Sequence, residues 1–100
     1  MKRDEILDTA KALICGQRAQ DYGDAYNNFS NIADAWTWWL GPRLKDALTP
    51  NDAAMMMALL KMARLMNSRL HVDSYHDLAG YIALAAEVEN TRAIQEKVEK

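Results

Sequence analysis

The stretch Ala53 to Leu84, AAMMMALLKMARLMNSRLHVDSYHDLAGYIAL, constrains this chain more than any other. From Ala53 to Met66 it is apolar on every side, interrupted only by Lys61 and Arg64. A helix that is apolar all round belongs at the centre of a bundle, so the other helices are expected to surround it. Two cations on such a helix need partners, because an unpaired buried charge is costly. The nearest acids, Asp73 and Asp77, follow a short connection and sit one helical turn apart. A Lys-x-x-Arg helix, a loop and an Asp-x-x-x-Asp helix therefore form the expected central unit.

One hundred residues make a single domain, residues 1–100. A chain of this size buries roughly 60–70% of its unfolded surface. Half of its residues are hydrophobic, with six Met and three Trp. That is more than four small helices hide comfortably, which predicts that part of this surface serves a subunit interface. The net charge of −2 lacks the basic excess of a nucleic-acid or membrane-surface binder. The single cysteine, Cys15, forms no internal disulfide and reads as a small core residue. The charged start MKRDEILD is not followed by a long apolar run, so the expected location is cytoplasmic.

The remaining segments read as helices too. Arg3 to Ile14 carries Ile6, Leu7, Ala10, Leu13 and Ile14 at helical spacing, with acids in its first turns. Gly16 is a stop signal, and QRAQDYGD (residues 17–24) reads as a loop with Asp24 as the next cap. Ala25 to Leu40 places Phe29, Ile32, Ala33, Trp36 and either Trp39 or Leu40 on one stripe, and Gly41-Pro42 ends it. Trp38 falls off the stripe, as an exposed or interface aromatic or a base-stacking one. Thr49, Pro50 and Asp52 open the third helix as cap, first position and third position. It should run to about Ser68, with Asn67 to Val72 as a loop. The fourth begins with Asp73 or Ser74 as cap, and its polar tail from Glu87 carries a thin apolar thread of Val88, Ile94 and Val98. The expected fold is an all-α bundle of four main helices.

Two constellations carry the candidate chemistry. In the first, Lys61 and Arg64 share one helix face and Asp73 and Asp77 another. Paired carboxylates suit Mg²⁺, and paired cations suit phosphates. The competing reading is an ion-pair network that fixes helix packing. The second is RAQDYGDAYNNFSN, which gathers Arg18, Tyr22, Asp24, Asn27, Asn28 and Asn31. Asparagine is a poor mid-helix residue, so Asn27, Asn28 and Asn31 call for ligand contacts or polar contacts between helices. His71 and His76 lack a third zinc ligand at a suitable spacing and read as loop histidines.

The pattern RxxxYGDxxxNF, a Trp-bearing helix, MMxxLLKxARL and DSxxDLAGYxAL resembles a family of short phage and prophage proteins. Here it is carried by Arg18, Tyr22-Gly23-Asp24, Asn28-Phe29, Trp36, Lys61, Arg64, Asp73-Ser74, Asp77 and Gly80-Tyr81. The second half also resembles the MazG-like, all-α nucleoside triphosphate pyrophosphohydrolases. That resemblance implies a helical dimer or tetramer that cleaves nucleoside triphosphates with Mg²⁺. It implies Asp77 and Asp73 as metal ligands, Asp77 and Lys61 as catalytic residues, and Arg64 near the phosphates. Arg18, Tyr22, Asp24, Asn28 and Asn31 would complete the ligand site. The family's Glu-x-x-Glu helix is missing, because the matching helix offers Asn28, Asn31 and Asp34 instead. The alternative expectation is a non-catalytic phage accessory protein that binds a host or phage protein.

Overall fold

The computed structural model describes residues 1–16 and 24–99. Its elements are α1 (Arg3–Cys15), α2 (Ala25–Leu40), a 3₁₀ turn (Gly41–Arg43), α3 (Pro50–Asn67) and α4 (Val72–Glu99), with no strand among the described residues. The all-α expectation with four main helices holds, and the bounds of α2 are those its stripe predicts.

Local chemistry explains where the helices start and stop. The Asp24 carboxylate accepts from the Tyr26 backbone N–H at 3.1 Å and caps α2. Gly41 ends α2 with φ at +51°, a backbone conformation that side chains disfavour, and its N–H donates to the Thr37 carbonyl. The linker then folds back, as Leu48 N–H donates to Thr37 Oγ1 at 2.9 Å. Helix α3 opens with a reciprocal capping box. Asp52 N–H donates to Thr49 Oγ1 at 3.1 Å, and Thr49 N–H donates to the Asp52 carboxylate at 2.9 Å.

Helix α4 starts earlier than its acids predict. It begins at Val72, so Asp73 and Ser74 lie inside the first turn rather than capping it. His71 and Ser74 make the junction instead. Ser74 N–H donates to the His71 carbonyl at 3.1 Å, and the two side chains share a hydrogen bond of 2.6 Å. The Tyr75 hydroxyl donates to the Arg69 carbonyl at 2.8 Å, which holds the four-residue loop against the helix.

Helices α3 and α4 form an antiparallel hairpin, since contacts advance along one as they recede along the other. Lys61 meets Asp77, and Asn51 Nδ2 donates to the Ala85 carbonyl at 3.0 Å. Helix α2 packs mainly on α3 and α1 on α4. The core is Phe29 and Ala33 of α2, Ala53 and Ala54 of α3, and Ala85 and Val88 of α4. Alanines at these contacts let helix axes approach closely. Phe29 adds an edge-to-face contact with Tyr81, ring centroids 6.4 Å apart. At the α1–α4 crossing a Cβ on buried Gly80 would stand 2.9 Å from Ile14 Cγ2, so glycine sets the spacing there.

Two expectations are corrected and one open alternative is decided. Helix α3 is not buried all round: Ala53, Ala54, Ala58 and Leu65 are buried, whereas Met55, Met56, Leu59, Leu60, Met62 and Met66 are exposed. A bundle of this size supplies neighbours for only one side of it. Cys15 is exposed at the end of α1 rather than in the core. Of the two candidates for the end of the α2 stripe, Leu40 is half-buried and Trp39 is exposed, because the bundle does not extend under Trp39.

Candidate functional site

The α3–α4 hairpin brings Lys61 and Asp77 together as expected. Lys61 Nζ lies 3.1 Å from an Asp77 carboxylate oxygen, with the side chains 15% and 26% exposed. The pair therefore stands at the edge of the interhelical seam, neither sealed in nor fully in water. Its charges compensate one another directly.

The other members of the first constellation diverge. Arg64 is exposed one turn beyond Lys61 and makes no ion pair with the described residues. Asp73 points to solvent, 79% exposed, with one oxygen 3.8 Å from His76 Nδ1. Asp73 and Asp77 share a helix but answer to different basic groups. These two carboxylates are the donors expected for Mg²⁺. Among the described residues no three His, Cys, Asp or Glu side chains gather into a metal site. A cation at Asp77 would have to displace Lys61. The donor set thus falls short of a cage for a resident metal.

In the second constellation, Asp24 is engaged as the cap of α2, Asn28 is half-buried, and Asn31 and Asp34 are exposed. Arg18 and Tyr22 lie outside the described residues.

Sequence reasoning missed the His71–Ser74 lock. Ser74 is 1% exposed, and its hydroxyl finds its partner in the imidazole three residues earlier. His76 also differs from expectation. It lies on α4 rather than in the loop and is half-buried. The signal was present in the spacing: His71 and Ser74, like Asp73 and His76, are three residues apart and meet once α4 begins at Val72.

Further along α4, Arg92 binds Glu89 through two guanidinium nitrogens and Glu96 at 2.6 Å. The hydrogen bond from Arg92 holds the Glu89 carboxyl below its ordinary value, and Arg92 is correspondingly raised. This charge cluster begins beside the first turn of α3, where the Asp52 carboxylate acts on Glu89, and continues along α4. It braces the helix end where apolar contacts run out.

Residues 5–89 match the family described as Domain of unknown function (DUF6378). The chain belongs to this family. Two proteins similar to the chain come from mycobacteriophages, each named Gene 55 protein. The one from Mycobacterium phage L5 is 50% identical over 76 residues, covering 76% of this chain and 47% of the relative. The one from Mycobacterium phage D29 is 37% identical over 78 residues, covering 78% and 49%. The chain spans about half the length of these relatives. The expected kinship with phage proteins is thus shown. No solved structure matches the chain. The DUF6378 match takes in most of α1 and α4 and all of α2 and α3, so it covers the Lys61–Asp77 pair and the apolar face of α3.

Proposed function

We propose that this DUF6378 protein is a non-catalytic phage accessory protein that binds a host or phage protein. One observation carries the reading: Trp38 and Trp39, adjacent at the end of α2, are 80% and 78% exposed. Two neighbouring indoles in water are unusual for a domain that needs apolar surface for its own core. Tryptophan is enriched where proteins recognise one another, because it offers a large rigid apolar body with one polar handle. The compensated Lys61–Asp77 pair supports the same reading from the other side. A cation already satisfied by an acid serves as a strut between helices more readily than as a catalyst.

The test uses tagged protein recovered from phage-infected host cells. Wild type retains a stoichiometric partner, and Trp38→Ala/Trp39→Ala loses it while melting at the same temperature. A double variant that retains the same partner overturns the reading.

A second reading rests on the solvent edge of the Lys61–Asp77 pair and on exposed Arg64 one turn away. Here the ligand is a nucleotide, with Lys61 and Arg64 as its phosphate contacts. The MazG-like resemblance supports that ligand class. A thermal-shift panel of nucleotides, with and without Mg²⁺, separates the two. Stabilisation that Arg64→Ala removes selects the nucleotide, and a flat panel selects the protein partner. The Mg²⁺ arm tests whether Asp73 and Asp77 take a cation once phosphate oxygens are added to them.

A further inference from the structure

The outer side of α3 carries six large apolar side chains in water. Met55, Leu59, Met62 and Met66 follow one another at spacings of four, three and four, so they form one straight stripe. All four are exposed, Leu59 at 61% and Met66 at 80%. Met56 and Leu60 widen the stripe on one flank and are exposed as well. Over about 16 Å of helix the stripe carries no charge.

We infer that this face binds a second copy of the chain, α3 against α3 across a two-fold axis. Three observations point to that occupant. The six side chains leave on the order of 600 Å² of apolar surface in water, the upper end for a lone monomer. Two such faces, covered in full, bury roughly 1,200 Å², the lower bound of a stable specific interface. A partner must also be charge-free over three helical turns, as the outer side of α3 is. The spacing reads the same in both directions, so a two-fold axis sets each side chain of the stripe against one of the second copy's.

The helices run antiparallel, with the axis between Leu59 and Met62. Leu59 then meets the second copy's Met62, and Met55 meets its Met66. Antiparallel packing sets opposite helix-dipole ends together and keeps the two exposed Arg64 side chains apart. The thioethers re-pack to fill the seam, as flexible unbranched side chains do. This inference is independent of the Trp38–Trp39 reading, which concerns another helix.

Sedimentation equilibrium of the full chain tests it. The expected mass is twice 11.3 kDa. Leu59→Lys and Met62→Lys each return it to one chain mass with helical circular dichroism unchanged. Orientation is read in a Cys15→Ser background. A mixture of Leu59→Cys and Met62→Cys chains forms a linked heterodimer in excess of either linked homodimer. A monomeric wild type overturns the proposal, as does a dimer insensitive to both lysines. Preferential linkage of Leu59→Cys to itself overturns the antiparallel arrangement.

Discussion

At the residue scale the Lys61–Asp77 pair decides how the centre of the chain is read. That α3 cations would meet α4 acids was legible, because a cation on an apolar helix demands an acid and Asp73 and Asp77 were the acids in reach. The role of the pair was not legible. The same four charged residues suit a phosphate site or an interhelical strut, and the difference lies in which atoms meet. Lys61 and Asp77 meet at 3.1 Å, while Arg64 and Asp73 turn outward. Removing one partner of a half-buried pair leaves the other uncompensated. Lys61→Ala is therefore expected to cost about 1–2 kcal/mol by urea denaturation. Lys61→Met with Asp77→Leu, which removes both charges and keeps the volume, is expected to recover most of that loss.

At the element scale, helix ends were easier to read than helix faces. The capping box at Thr49, the cap at Asp24 and the stop at Gly41 use backbone-to-side-chain bonds that reach only a few residues, so local sequence specifies them. The start of α4 was misplaced because Asp73 and Ser74 look like caps, whereas the buried Ser74 hydroxyl bonds backward to His71. Gly80 is another case in which a neighbour decides. In an isolated helix alanine would be favoured over glycine by up to about 1 kcal/mol. Here the added Cβ meets a branched side chain at 2.9 Å. Gly80→Ala is expected to lower stability by about 1 kcal/mol net, through overpacking. In an Ile14→Ala background the same change is expected to turn neutral or stabilising, as a double-mutant cycle by thermal denaturation would report.

At the scale of the whole molecule, the long hairpin sets the shape. The longest extent is 44 Å, about the length of α4 itself at 1.5 Å per residue. Two shorter helices cover part of that length, so the bundle sorts its aromatic residues by position rather than by type. Phe29 is 3% exposed against Tyr81, whereas Trp38 stands in water. Phe29→Ala is expected to cost about 3–5 kcal/mol. Trp38→Ala should stay within about 0.5 kcal/mol of wild type in the same denaturation series.

The sequence by itself determined four helices, most of their boundaries, a hairpin of α3 and α4 and the meeting of α3 cations with α4 acids. Periodicity, caps and charge balance are local or pairwise demands that a chain states openly. Only the tertiary structure decided which side of α3 is buried, where Cys15 and Trp39 face and that Ser74 answers to His71. Burial depends on which neighbours exist to cover a surface, and an all-apolar run such as Ala53 to Met66 does not say how many it has.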